Sequence, residues 1–185
     1  MTKRITISTL DAMKASGDKF VMITAYDATF ARLASEAGAE TILVGDSLGM
    51  VLQGHETTIP VSLDAMAYHT ECVARARPHS LIVADLPFMS FSNADDTLHA
   101  STQLMQAGAQ MVKLEGGTWL SDSIHRLVER GVPVCAHLGL TPQSVNVFGG
   151  YRVQGRTPKE AKSILADAVE IQDAGASLLV LECIP

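Results

Sequence analysis

The sequence predicts a parallel α/β fold of the (βα)8 TIM-barrel type, with this chain covering about the first six βα units. Three observations predict it. Short apolar strands alternate with helix-length segments along the whole chain, the pattern of right-handed crossovers and a parallel sheet. A partial repeat recurs: Ala37-Gly38-Ala39, Ala107-Gly108-Ala109 and Ala174-Gly175-Ala176 each end a helix, and an apolar strand follows. An acid (Asp46, Glu115, Glu182) then appears seven or eight residues after each glycine. A helix stop, a short turn and a strand of fixed length put each acid at the same, C-terminal, edge of the sheet, where barrel and open-sheet enzymes build their sites. The third observation is length. A barrel of ~250 residues uses about 31 per unit, and 185 residues hold about six such units. Residues 1–185 thus read as a single, incomplete TIM-barrel catalytic domain that stops after strand six. Its first and sixth strands are then unprotected apolar edges, which favour association. A doubly wound sheet is the rival, but no Gly-x-Gly-x-x-Gly follows any strand.

Each element has a local signal. Residues 5–19 read as a short amphipathic helix, with Ser8 or Thr9 as cap and Gly17 near its end. Residues 20–25 are the first core strand, with Tyr26 and Asp27 at its tip. A helix over 28–37 stops at Gly38, the usual place for a left-handed residue. Strand two is 41–44, and 49–60 is a polar loop holding His55 and Glu56. Ser62 starts a helix through Arg77, which Pro78 ends. Strand three is 81–84, ending in Asp85-Leu86-Pro87-Phe88. Ser92-Asn93-Ala94-Asp95 has capping-box spacing for a helix that stops at Gly108. Strand four is 111–114, followed by Glu115-Gly116-Gly117 and a helix to Arg130. Strand five is 132–136, ending in His137-Leu138-Gly139. A second long loop, 141–156, holds Asn146, Gly149-Gly150 and Arg152. Thr157-Pro158-Lys159-Glu160 combines a cap, a first-turn proline and a capping-box glutamate. Strand six is 178–181.

Composition removes several function classes. With 47% hydrophobic residues the chain can bury a core as one domain. A net charge of −6 without any basic block argues against nucleic acid. No apolar run is long enough to span a membrane, and Met1-Thr2-Lys3-Arg4-Ile5 leads into no signal-peptide core, so the expected location is cytoplasmic. Cys72, Cys135 and Cys183 lie far apart and read as reduced, mostly buried thiols.

The stretch Leu43-Val44-Gly45-Asp46-Ser47-Leu48-Gly49-Met50 organises the rest. A strand covered on both faces delivers a carboxylate and a hydroxyl where it ends. Asp46 or Ser47 either caps a following helix or belongs to a site. Asp46, Asp85 and Glu115 on neighbouring strand ends either cap helices or pair with nearby Lys and Arg, or share a cation, because like charges together otherwise raise a pKa. Lys113 and Glu115 are two apart on one strand and share a face.

These motifs carry a resemblance. The stretch above, Ala84-Asp85-Leu86-Pro87-Phe88-Met89, Val112-Lys113-Leu114-Glu115-Gly116-Gly117, His137-Leu138-Gly139-Leu140-Thr141-Pro142-Gln143-Ser144, Phe148-Gly149-Gly150-Tyr151 and Leu181-Glu182-Cys183 closely resemble the ketopantoate hydroxymethyltransferase family. The resemblance covers essentially the whole chain, but the counterparts of the last two strands and C-terminal helices of the family are lacking. It implies transfer of a hydroxymethyl group from 5,10-methylenetetrahydrofolate to 3-methyl-2-oxobutanoate, giving 2-dehydropantoate in pantothenate biosynthesis. It implies Mg²⁺ at Asp46 and Asp85, with Glu115 close by or acting through water. Substrate binding falls on Asp46, Ser47, Asp85 and Lys113, and the catalytic base is Glu182. Lys113 either holds the substrate carboxylate or forms a Schiff base. His137 either touches substrate or is a hydrogen-bonded core histidine. The expected partners are the 2-oxo acid, the tetrahydrofolate derivative and further copies of the chain, a decamer by resemblance. Two other readings stay open: another Mg²⁺-dependent 2-oxo acid lyase or mutase of the same barrel type, or a truncated non-catalytic product. Lyases and mutases of that type use a cysteine-bearing loop after a strand, and Leu86-Pro87-Phe88-Met89-Ser90 has no cysteine.

Overall fold

A computed structural model of the protein describes residues 4–185. Met1–Lys3, part of the stretch read above against a signal peptide, lie outside the described residues. The strands are β1 (Met22–Thr24), β2 (Thr41–Val44), β3 (Leu81–Asp85), β4 (Met111–Glu115), β5 (Val134–Gly139) and β6 (Leu178–Glu182). They form one parallel sheet in the order β1-β2-β3-β4-β5-β6. The helices are α1 (Ile7–Ser16), α2 (Ala28–Glu36), α3 (Leu48–Val51), α4 (Leu63–Arg75), α5 (Ala94–Gln106), α6 (Ser121–Glu129), α7 (Val145–Phe148) and α8 (Pro158–Asp173). No helix is long and apolar enough to cross a membrane among the described residues.

The period of two along each strand divides the core. Ile42, Val44, Ile82, Ala84, Val112, Leu114, Val134 and Ala136 point toward the helices and meet Met66 and Val73 of α4, Leu104 of α5 and Ile124 and Leu127 of α6. Each fully buried Leu or Ile there contributes ~1.5–3 kcal/mol. The alternate positions form a second cluster: Leu81, Val83, Met111 and Cys135, with Met22, Leu43, Leu178 and Val180 around them. Ile5 and Ile7, at the start of α1, close that cluster from below. Following the same inward rows to the C-terminal edge gives Asp85, then Lys113 and Glu115, then His137, then Glu182. The register pairs Asp85 with Lys113, Glu115 with His137, and Gly139 with Glu182.

Most terminators behave as their local chemistry requires. Gly38, Gly108 and Gly175 have φ of 95°, 112° and 107°, the left-handed region open to glycine. Thr157 and Glu160 make the reciprocal capping box. Four expectations are corrected. The cap of α1 is Thr6, bonded reciprocally with Thr9, and only Leu10 of that helix is buried, so it is not amphipathic. Asn93, rather than Ser92, caps α5, accepting from the amides of Asp95 and Asp96. β1 is shorter and more exposed than a core strand, because it pairs only with β2 and the Val21 amide donates to Glu40 Oε2 at 2.8 Å. Cys183 is exposed on the turn after β6, while Cys135 is buried and Cys72 half-buried. The two long loops also hold short helices, α3 and α7, because each folds back over the sheet edge.

Both outer strands have one partner each. Val21 and Ile23 beside one edge, and Leu179 and Leu181 on the other, are 39–53% exposed. Amides of β1 and β6 are therefore expected to exchange with solvent well before those of β3 and β4. Hydrogen exchange resolved by mass spectrometry measures this, and equal protection of all four strands would mean that the edges are paired in solution.

Candidate active site

The C-terminal edge gathers seven of the residues singled out from sequence: Asp46, Ser47, Asp85, Lys113, Glu115, His137 and Glu182. Gly45 lets the chain leave β2 tightly: a Cβ there would stand 2.7 Å from Ser47 Oγ. A Cβ on Gly49 would run into Val61. Ser47 occupies the cap position of α3, yet its side chain makes no cap bond. Its hydroxyl pairs instead with Tyr26 Oη at 2.9 Å. Asp46 does not cap a helix either; its Oδ2 accepts from Gln143 Nε2 at 2.8 Å. The Asp46 amide donates to Asp85 Oδ2 at 3.2 Å, which ties the ends of β2 and β3 together.

Lys113 is the centre of charge. Its Nζ stands 3.0 Å from Asp85 Oδ1, 3.8 Å from Glu115 Oε1 and 3.2 Å from His137 Nδ1. Asp46, Asp85, Lys113, Glu115 and His137 are all buried. Burial opposes the Lys113 charge, but the carboxylates of Asp85, Glu115 and Asp46 outweigh it and hold the ammonium protonated well above its ordinary range. A Schiff-base lysine needs the opposite shift. Burial, then repulsion by Asp85 and Glu115, pushes Asp46 up to about 7. Burial also raises Asp85, with Lys113 offsetting part of the effect. Burial alone would raise Glu115, but the His137 ring, Lys113 and the Gln143 amide reverse the sign and hold it below its ordinary range.

His137 lies inside β5 rather than at its end, because the ladder to β6 continues to Gly139. Its two nitrogens address two acids: Nδ1 is 3.3 Å from Glu115 Oε1 and Nε2 is 3.3 Å from Glu182 Oε2. The second contact is not in hydrogen-bonding geometry. Glu182 is the outermost of the group, its side chain 40% exposed. Gly139 permits this approach, since a Cβ there would collide with the Glu182 carbonyl.

Gln143 has no role assigned from sequence and is the main omission. Its Nε2 also donates to the Leu86 carbonyl at 2.9 Å, and its backbone N–H donates to Glu115 Oε2 at 3.0 Å. One residue of the second long loop thereby fixes the acids of β2 and β4. Its position in the motif running from His137 to Ser144 was the available signal. His55, Glu56, Asn146 and Arg152 are exposed.

Three carboxylates face one ammonium, so the ionised cluster carries two uncompensated negative charges in a buried place. That donor set fits a divalent cation with hard-oxygen preference. Among the described residues no three His, Cys, Asp or Glu side chains converge as a ready-made cage. Magnesium is commonly held by one or two carboxylates, with water and substrate completing the shell, and Asp46 and Asp85 match that requirement.

Comparison with known proteins identifies the family and the fold. The family model described as ketopantoate hydroxymethyltransferase matches residues 4–185. A 3-methyl-2-oxobutanoate hydroxymethyltransferase of Pseudomonas aeruginosa is 59% identical over 98% of this chain and 68% of its own length. One from Burkholderia vietnamiensis is 60% identical over 98% of this chain and 67% of its own length. Among solved structures, phosphonopyruvate hydrolase in complex with oxalate and Mg²⁺ superposes with a TM-score of 0.72 at 17% identity, covering 95% of this chain and 62% of that one. A 2,3-dimethylmalate lyase of the phosphoenolpyruvate mutase/isocitrate lyase superfamily gives 0.67 at 18% identity, covering 95% of this chain and 63% of that one. These two likenesses concern the fold. The chain spans about two thirds of the curated relatives and somewhat less of the solved structures. The chain belongs to the ketopantoate hydroxymethyltransferase family.

Proposed function

We propose that residues 1–185 form one domain supplying six βα units of a (βα)8 barrel, whose C-terminal edge transfers a hydroxymethyl group to 3-methyl-2-oxobutanoate. The observation that carries the reading is the buried row Asp46, Asp85, Lys113 and Glu115, ending at Glu182, within a chain of this family. Asp46 and Asp85 would hold Mg²⁺, which would supply Lewis-acid polarisation of the 2-oxo acid. Lys113 adds a fixed positive charge for the substrate carboxylate, and Ser47 a hydroxyl held by Tyr26. Glu115 acts through its neighbours, since both oxygens are already engaged.

Glu182 takes the proton from carbon three of the substrate. The electron pair left on that carbon forms a bond to the one-carbon unit of 5,10-methylenetetrahydrofolate as the bond from that unit to N10 breaks, and N10 takes up the proton removed from carbon three. Water then replaces N5 on the one-carbon unit, its hydroxyl staying on carbon and its proton going to N5, so that 2-dehydropantoate and tetrahydrofolate leave. Partial exposure of Glu182 suits a base that meets substrate from the cleft. The lyase or mutase reading gains no support, because the loop after β3 carries no cysteine.

The test isolates proton transfer. Glu182→Gln is expected to bind the 2-oxo acid while its carbon-three exchange with D₂O falls by ~10²–10⁴-fold, the usual contribution of a positioned base. Exchange at the wild-type rate would place the base elsewhere.

The pH dependence has a definite sign. Asp46, raised to about 7, must lose its proton to hold a cation. Mg²⁺ affinity by calorimetry should therefore fall between about pH 8 and about pH 6. Without metal, the protonated Asp46 stabilises the fold fully below its unfolded pKa of ~3.9, and this contribution is lost as pH rises through its folded value. Mg²⁺ affinity that is flat across this window would remove Asp46 from the cation site.

A further inference from the structure

The chain leaving β5 is bonded to four other strand ends. The Leu140 N–H donates to the Glu182 carbonyl at 2.8 Å, which pins the start of the loop to β6. Next, in the 3₁₀ turn Pro142–Ser144, the Gln143 N–H meets Glu115 of β4. The Gln143 carboxamide then reaches Asp46 after β2 and the Leu86 carbonyl after β3, at 2.8 and 2.9 Å. We propose that Gln143 is a positioning residue: it fixes the Asp46 carboxylate through Oδ2, leaves Oδ1 as the oxygen offered to a cation, and so selects Mg²⁺ over the larger Ca²⁺. The proposal rests on the cation reading given above.

Three observations carry it. The first is that the carboxamide can stand only one way round. A primary amide has two donors on nitrogen and none on oxygen. Both acceptors here face Nε2, so a flipped amide would set Oε1 against a carboxylate and a carbonyl. Both donors are therefore spent on the protein, in a side chain only 6% exposed.

The second is the division of the carboxylate oxygens. Among the described residues Gln143 is the one side chain that hydrogen-bonds to the Asp46 carboxylate, and it meets Oδ2. Asp85 is divided in the same way. Its Oδ2 accepts from the Asp46 amide, while its Oδ1, 3.0 Å from Lys113 Nζ, is buried without a hydrogen bond. Each acid thus has one oxygen held by the protein and one left over.

The third is what the two cations require. Mg²⁺ demands near-ideal octahedral geometry, whereas Ca²⁺ takes more oxygens, in a flexible shell that accepts one or both from a carboxylate. A carboxylate clamped by one oxygen cannot turn to present both. Rigidity at Asp46 therefore favours the smaller ion.

Gln143→Met keeps the length of the side chain and the backbone N–H that bonds Glu115, and removes the carboxamide. Calorimetry of the full chain, with Mg²⁺ and Ca²⁺ titrated separately and no substrate present, reads the effect. Mg²⁺ affinity is expected to fall by about tenfold or more, the scale of losing a partner that orients a metal ligand. Ca²⁺ affinity should stay within about twofold, so the preference for Mg²⁺ falls by about fivefold or more. A merely structural role weakens both cations by the same factor; that result, or an unchanged Mg²⁺ affinity, overturns the proposal. A measurement on the wild type keeps the test independent of how the variant folds. By nuclear magnetic resonance, the two side-chain N–H protons of Gln143 should stay protected from exchange with water as Mg²⁺ is added. Loss of that protection on binding means that Gln143 releases Asp46, and overturns the proposal as well. Wild-type protein that binds neither cation overturns the cation reading instead.

Discussion

Asp46→Ala and Asp85→Ala are each expected to reduce Mg²⁺-dependent turnover by at least about 10³-fold, because a Lewis acid at a polarised carbonyl supplies several kcal/mol. The two variants should differ in stability. Asp46 is buried against like charge, and its carboxyl is pushed up to about 7. Its removal relieves repulsion, so without metal near pH 8 the variant should melt no lower than the wild type. Asp85 also pairs with Lys113 at 3.0 Å and accepts from the Asp46 amide at 3.2 Å. Its removal should therefore lower the melting temperature. Circular dichroism melts beside the turnover assay separate the two effects. Retained turnover by both variants at saturating Mg²⁺ would take the pair out of the cation site.

Lys113→Met is expected to be the most destabilising single change in the site. It leaves Asp85, Glu115 and Asp46 buried together without the ammonium that faces them. Removing one member of a buried ion pair costs about 3–5 kcal/mol, most of it from the charge left behind. Protonation of the carboxylates or a bound divalent cation offsets much of the three negative charges left behind. The loss should accordingly be largest in metal-free protein at alkaline pH, and smaller with Mg²⁺ or at mildly acidic pH. Urea titrations with and without Mg²⁺ measure this. A loss equal under all conditions would mean that Lys113 stabilises by packing its stem rather than by charge. Lys113→Arg keeps the charge but must place a wider, planar fork in a site 4% exposed, so only partial recovery is expected.

What the sequence determined by itself is everything governed by local periodicity and backbone chemistry. The glycines at 38, 108 and 175 end helices because their φ angles of 95°, 112° and 107° carry no Cβ penalty. Thr157 and Glu160 satisfy each other three residues apart. The period of two along β3 and β4 commits Asp85, Lys113 and Glu115 to the face opposite Ala84, Val112 and Leu114. Tertiary structure alone decided which side chains meet across long separations. Gln143 reaches Asp46 from 97 residues away, His137 stands between Glu115 and Glu182, and Ser47 turns from a helix cap to Tyr26. Phe91 and Trp119 stack across two loops. A strand pattern specifies the face on which a residue stands. Its partner depends on the stagger between strands and on where a distant loop closes, and neither is encoded in any short window of the chain.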